Sequence, residues 1–578
     1  VALAHRRLAV LGLGEVGAQP MRSASGRYTL VHNGEVYNHL ELRAALTAAG
    51  RAPTWRGGSD TETLLAGLET WGLEPLLGRC VGMFAMAVHD RSERTLTLVR
   101  DRLGEKPLYW ATHDRSLLFA SQPSALRSVP GFSLSIDPDA LAELLRHGQV
   151  PGERTIHREV REVRPGTLLR IAVDDVLETP VERTWWSFDA VARAGIVAPL
   201  VGDDATLVDA VEEAVRTAVR SQLLSDVPLG AFLSGGIDSS LVVATMRAVS
   251  AAQVRTFTIG FVQPSFDESP HARAVAQHLG TEHTELVLSD ADVLAVVPDL
   301  ARIYDEPFAD SSQIPTVLVS RLARASVTVA LSGDGGDELF GGYERYRLLE
   351  RHVRTPRAVA LAAAALFALR GDRRRAATAR MLGRGPEPIV RRLLSEGVFA
   401  ELLVPGAAHA ASARRALARW DATAGLGGLT ARAMALDTVG YLPDDILHKV
   451  DRAAMSVALE TRVPLLDHRL VALAWRLPDR LRVRDGVGKW VLRETLARHV
   501  PRALIERPKA GFAPPLGAWL RGPLADWADG LLAPDALADD GLIDAVEVAR
   551  LWRAHRSGRN DASRDLWPLL MFQAWRHA

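Results

Sequence analysis

Apolar residues in the first part of the chain fall in short runs of strand length, at 7–11, 28–31, 82–89 and 95–99, several bounded by Gly, Asp or Asn. Such runs predict stacked sheets. Two intervening segments, 39–48 and 61–71, repeat Leu, Ala and aromatic residues every three or four positions and predict helices, so this part is mixed α+β rather than all-β. Around 189–204 the regular pattern lapses, which predicts a boundary between a domain at 1–190 and one at 205–578. From Thr206 a helical stretch leads into the apolar segment 227–233, read as a buried strand. Further strands at 256–261 and 327–331 lie between helices, implying an α/β, doubly wound parallel sheet covered on both faces. From Tyr346 onward the pattern is mainly helical and rich in Ala and Arg, with no visible internal repeat.

Composition narrows the partners. At 578 residues the chain exceeds what one core usually serves, and 48% hydrophobic with 24% charged residues is ordinary for a globular protein. Lys plus Arg number 69 and Asp plus Glu 69, so net charge gives no case for nucleic acid or an anionic membrane. The Arg run 373–375 reads as a solvated face. One cysteine makes no internal disulfide, and the longest apolar stretch, 358–369, is too short to span a bilayer. Small-molecule ligands and a cytoplasmic location are expected. The chain opens on Val1 without a secretory pattern, and an upstream amino-terminal piece is expected.

The strongest chemical signal is SGGIDSS at 234–240, directly after an apolar strand and before the helix-compatible run 241–249. Gly235 and Gly236 allow close backbone approach, Ser234 and Ser239 donate hydrogen bonds, and the amides opening a helix favour an anion. A Ser/Gly turn that merely caps a helix is the plain alternative, and the seven residues in this context weigh against it. Lacking the Lys and spacing of a Walker A loop, the motif suits a departing pyrophosphate, which implies adenylation rather than phosphoryl transfer. Asp238 is a candidate Mg²⁺ ligand. GLGEVG at 12–17 satisfies GxGxxG, but Pro20 and SASGR at 23–27 interrupt the helix a dinucleotide fingerprint must open.

SGGIDSS resembles the PP-loop of the ATP pyrophosphatase superfamily, and the residues around it resemble glutamine-dependent asparagine synthetase of the bacterial type. LSGDGGDELFGGY at 331–343 resembles that family's second nucleotide and metal segment. The resemblance implies ATP contacts at Ser332 and Gly333, Mg²⁺ at Asp337 together with Asp238, and an intermediate-forming acid at Asp334. TFTIGF at 256–261 resembles the adenine-reading segment, making Leu233 and Ile259 ATP-pocket candidates as well as sheet core. The segment 441–467 resembles a helical active-site wall with Lys449, Asp451 and Arg452 as buried polar members, structural first. GKWVLRE at 488–494 places Lys489 as a fixed charge near the phosphates, and RPKAGF at 507–512 resembles the segment that closes the site.

NGEVYN at 33–38, GSDTE at 58–62 and RDRLGEKPLYW at 100–110 resemble an amino-terminal-nucleophile glutaminase of α+β sandwich form. This implies that Arg7 grips the carboxylate of glutamine, Asp60 and Glu35 receive its amino group, and Asn33 with Gly34 stabilises the oxyanion. The family nucleophile is an amino-terminal cysteine that the sequence from Val1 does not contain, and Cys80 reads as core packing. The domain is therefore expected to be truncated, and the chain as written to use free ammonia rather than hydrolyse glutamine. The implied reaction takes ATP, Mg²⁺ and aspartate to β-aspartyl-AMP and then, with nitrogen from glutamine or ammonia, to asparagine. A homodimer is left open. So are a β-lactam synthetase or macrolactam cyclase and a silent nucleotide-binding homologue, although intact glutamine-site residues favour an ammonia user.

Overall fold

The computed structural model describes residues 1–175, 180–369, 408–506, 514–537 and 542–578. The Arg run 373–375 and the RPKAGF segment lie outside them.

The amino-terminal part is built on a six-stranded antiparallel sheet in the order β1-β2-β3-β4-β8-β9 and a three-stranded sheet in the order β6-β5-β7. Its strands are β1 Met21–Arg22, β2 Tyr28–Val36, β3 Gly82–Asp90, β4 Thr95–Arg100, β5 Tyr109–His113, β6 Ser116–Ala120, β7 Val160–Glu162, β8 Thr167–Ala172 and β9 Val181–Thr184. Successive side chains take opposite faces. Leu30, Phe84 and Met86 pack with Leu64 and Leu68 of the helix Asp60–Trp71, while Val31, Ala85 and Ala87 pack with Trp110 and Phe119 of the smaller sheet. That is a sandwich with one flank of helices, as expected.

Two expectations fail locally. Residues 7–11 form no strand, because Val10 is buried in the core of the other part of the chain and the backbone pairs there: Asp226 N donates to Val10 O at 3.0 Å, and Gly12 N to Asp226 Oδ2 at 2.8 Å. The supposed lapse at 189–204 is largely the helix Phe188–Val197, capped by Ser187 Oγ accepting from Ala190 N. Its buried face is Phe188, Ala192 and Gly195, and a Cβ on Gly195 would sit 2.8 Å from the Trp475 backbone. Apart from Phe188, that face is Ala and Gly, which carry little hydrophobic signal.

Beyond it lies a five-stranded sheet in the order β12-β11-β10-β13-β14, parallel throughout, of β10 Leu229–Phe232, β11 Arg255–Phe261, β12 Glu282–Leu288, β13 Val329–Leu331 and β14 Glu460–Arg462. Phe257, Ile259 and Phe261 pack into one apolar layer with Val317 and Trp567, and Ala231, Leu233, Val329 and Leu331 into the opposite layer with Val215 and Leu241. The chain runs from β10 through β11 to β12 and returns to the far side of β10 as β13. The carboxyl ends of β10 and β13 therefore border a topological switch point, where open α/β sheets bind ligands.

The two parts meet through buried polar contacts. Lys106 Nζ lies 2.8 Å from Asp451 Oδ1, the Ile156 amide donates to Glu306 at 2.7 Å, and Arg462 stands 3.6 Å from Glu35.

Candidate active site

A cleft of about 1240 Å³ opens at this switch point, and every predicted nucleotide, metal and catalytic residue borders it: Leu233, Ser234, Gly235, Gly236, Asp238, Ser239, Ile259, Ser332, Gly333, Asp334, Asp337 and Lys489. Its floor is the turn after β10. Ser234 N donates to Ser239 Oγ at 3.2 Å, the two hydroxyls lie 3.0 Å apart, and Gly236 N reaches Ser234 Oγ at 3.3 Å. Gly235 has φ 71°, and Gly236 opens the helix Ile237–Val249 with no side-chain cap on its first amides. An uncapped helix start lining a cleft is an anion seat.

The turn after β13 lies on the first. A Cβ on Gly333 would come within 2.6 Å of Ser239 N, so only glycine lets the loops touch. Beside it, Ser332 Oγ donates to Asp334, whose carboxyl burial raises above its ordinary range while that hydrogen bond opposes the rise. Leu233 and Ile259 are 1% and 2% exposed, so the same side chains serve core and cleft wall.

Lys489 closes the far wall. Its Nζ lies 2.8 Å from Asp337 Oδ1 and also donates to Asp238. Burial works against the ammonium, yet the two carboxylates outweigh it and raise its pKa. The residue holds a left-handed φ of 57°, with its amide on Phe340 O at 3.1 Å, which aims the side chain between the acids. Such strain in a non-glycine residue persists where the surroundings fix it.

The wall segment 441–467 opens with a π-helical turn, Leu442–Leu447, running into the helix His448–Met455. Lys449 points from it into the cleft and pairs with Asp310, while Asp451 and Arg452 turn to the other part of the chain, Arg452 Nη2 donating to Ser121 O at 2.6 Å. Asp310 was missed from the sequence, and so was Arg345, whose guanidinium lies 4.2 and 4.7 Å from the Tyr343 and Tyr441 ring centroids and 2.9 Å from Asp437. The DSS run at 310–312, with its potential for an Asp-centred turn, was the available signal for Asp310.

Four of the five glutamine-site candidates, Asn33, Gly34, Glu35 and Asp60, gather elsewhere, around the end of β2. Asn33, Gly34 and Glu35 lie on that strand, and Asp60 opens the helix beneath it, its Oδ2 accepting from Val36 N at 2.9 Å. Asn33 Nδ2 reaches Ser121 Oγ at 3.4 Å. Glu35 is 4% exposed, its carboxyl raised by burial and by Asp60 and drawn back by Arg462. Arg7 Nη1 donates to Gly12 O at 3.0 Å and its other terminal nitrogen to Leu11 O. Cys80 is fully buried, which pushes its thiol up to about 12, so it is core packing as the sequence implied.

Fold and cleft define a two-part α/β protein with a polar cleft at the switch point of its parallel sheet. The asparagine synthase family profile matches residues 210–577, and the glutamine amidotransferase domain profile matches residues 1–186. This chain belongs to the asparagine synthase family. It is 31% identical over its whole length to asparagine synthetase [glutamine-hydrolyzing] 1 of Bacillus subtilis, covering 89% of that protein. It is 34% identical, again over its whole length, to a putative asparagine synthetase [glutamine-hydrolyzing] of Mycobacterium bovis, covering 88% of it. Asparagine synthetase B [glutamine-hydrolyzing] of Escherichia coli is 27% identical over 90% of this chain and 75% of its own.

Proposed function

We propose that the chain is a glutamine-hydrolysing asparagine synthetase, a ligase that converts aspartate to asparagine at the expense of ATP, with AMP and pyrophosphate as the other products. The observation that carries this reading is the convergence of Asp238, Asp337 and Lys489 at the uncapped start of the helix Ile237–Val249, with Asp334 lining the same cleft.

ATP lies with its triphosphate over the 234–240 turn and its base against Leu233 and Ile259, bordered by Ser332 and Gly333. The β-carboxylate of aspartate attacks the α-phosphorus, the α,β-bridging bond breaks, and pyrophosphate departs towards the helix amides. Lys489 holds a fixed positive charge where charge accumulates on the phosphates. Ammonia then attacks the acyl carbon of β-aspartyl-AMP, forming the amide and releasing AMP, with Asp334 beside the acyl group.

Among the described residues no three or more His, Cys, Asp or Glu side chains are grouped to hold a metal ion. The donor set nevertheless fits Mg²⁺, which favours one or two carboxylates completed by phosphate oxygens, and Asp238 with Asp337 already share one cation, the Lys489 ammonium. Bound there, the ion would neutralise the triphosphate.

Nitrogen comes from free ammonia, or from glutamine where the amino-terminal cysteine nucleophile is present, with Arg7 taking the carboxylate of glutamine, Glu35 and Asp60 its amino group, and Asn33 with Gly34 the oxyanion. Binding there requires Arg7 to exchange carbonyl partners for a carboxylate, a stronger, charge-assisted contact. The domain pair 1–190 and 205–578 suits this division of labour. No helix of the described residues is long and apolar enough to cross a membrane, and the small polar substrates suit a cytoplasmic enzyme.

The test uses aspartate labelled with ¹⁸O in its β-carboxylate, ATP, Mg²⁺ and ammonium. One labelled oxygen should appear in AMP. ADP as product, or pyrophosphate release that ignores aspartate, would refute the reading.

A further inference from the structure

We propose that Lys449 and Asp310 form the head-group subsite for the amino-acid substrate, Lys449 taking its α-carboxylate and Asp310 its α-ammonium. This deepens the reading above and rests on it.

The two residues come from separate elements and meet in the cleft wall, beside Asp334. Asp310 is fixed by its own chain, its Oδ1 accepting from Ser312 N and Ser312 Oγ, each at 2.9 Å. A second carboxylate, Asp445, stands 3.5 Å from the Lys449 ammonium. Burial opposes the charge on Lys449, yet both acids raise its pKa, and Lys449 in turn holds Asp310 down to about 2 despite burial. Both groups are therefore charged at any working pH.

A free α-amino acid carries the same two charges in the opposite sense. When it enters, each half of the pair exchanges its partner for a group of the ligand, and no buried charge is left uncompensated. A dicarboxylate lacking the amine would engage Lys449 and strand Asp310, whereas Lys449 keeps Asp445 within 3.5 Å, so the selection falls on the α-ammonium. Stranded buried charges are strongly disfavoured, so the pair selects an amino acid over the diacid without the amine. The side-chain carboxylate is then the one left to face Asp334 and the nucleotide turn.

The test compares wild type, Asp310→Asn and Lys449→Arg in ATP–pyrophosphate exchange with aspartate and with succinate, alongside calorimetric binding and thermal melting. Wild type should prefer aspartate by at least about a hundredfold in kcat/KM. Asp310→Asn should raise the aspartate KM by about thirtyfold or more, leave the ATP KM within about threefold, and cut the preference over succinate to about tenfold. Lys449→Arg keeps the charge in a misfitting fork and should also raise the aspartate KM with melting unchanged. A natively melting Asp310→Asn with unaltered aspartate KM, or with a loss confined to kcat and its preference intact, would overturn the proposal. If wild type shows no aspartate-dependent exchange, the parent reading fails and calorimetry decides the subsite. Aspartate binding that succinate lacks and Asp310→Asn weakens would sustain the subsite, and no aspartate binding by wild type would end it.

Discussion

The ammonium of Lys489 lies 2.8 Å from the Asp337 carboxylate and also holds Asp238, so one side chain joins the turns that follow two neighbouring strands. Replacing it with Ala removes the fixed charge that the proposed reaction sets beside the phosphates and leaves two acids facing each other. A fall in kcat of about 10²–10³ is expected in pyrophosphate release. Lys489→Ala should also melt lower than wild type, and Mg²⁺ with a non-hydrolysable ATP analogue should restore more of that loss than ATP analogue alone. A variant with wild-type kcat would remove Lys489 from the chemistry.

Arg462 is fully buried, 2.8 Å from Glu460 and 3.6 Å from Glu35, with its Nη1 on the carbonyls of Gln222 and Leu224 at 2.7 Å. Arg462→Met strands two buried carboxylates and should destabilise by about 3–5 kcal/mol. Adding Glu460→Gln and Glu35→Gln should recover part of the loss in thermal melting. Equal melting of Arg462→Met and wild type would show that the three side chains are not coupled.

Burial pushes the Glu306 carboxyl up to about 8, although the Ile156 amide it accepts works the other way. An unfolded Glu titrates near about 4.3. Between that pH and about 8 the folded chain keeps a proton that the unfolded chain has lost, so stability falls as pH rises through this window and the loss is complete above it. Glu306→Gln keeps an acceptor for Ile156 and has no proton to lose. Its melting temperature should decline less than that of wild type from pH 5 to pH 8.5, though not stay flat, because burial also raises Asp444 to about 7. Parallel curves would contradict the assignment.

Cys80 has no part in either site. Cys80→Ala should leave pyrophosphate release unchanged and destabilise only modestly, and the native thiol should resist alkylation at pH 7.5. Activity lost in Cys80→Ala at wild-type stability would show a role that its burial argues against.

Much of the candidate site was legible because its residues are contiguous in two motifs, each bound to the end of a strand, so that placing the strands places Ser234, Asp238, Ser332 and Asp337 together. Lys489 was found through a motif, but its clasp of two acids depends on a left-handed backbone that no periodicity announces. The pair Lys449 and Asp310 joins positions 139 residues apart, and only Lys449 fell inside a motif. The failures share one cause. Leu8 and Val10 are apolar because they pack on the other part of the chain, and the helix Phe188–Val197 sets only Phe188 beside Ala192 and Gly195 on its buried face. Local patterns report that a side chain is buried, not which neighbour buries it.

The most direct measurement is the yield of asparagine from aspartate, ATP, Mg²⁺ and ammonium with the purified chain, counted against AMP and pyrophosphate. One asparagine for each AMP and each pyrophosphate is expected, with formation abolished in Asp238→Asn. AMP and pyrophosphate formed without asparagine, or no aspartate-dependent turnover at all, would contradict the assignment as an asparagine synthetase.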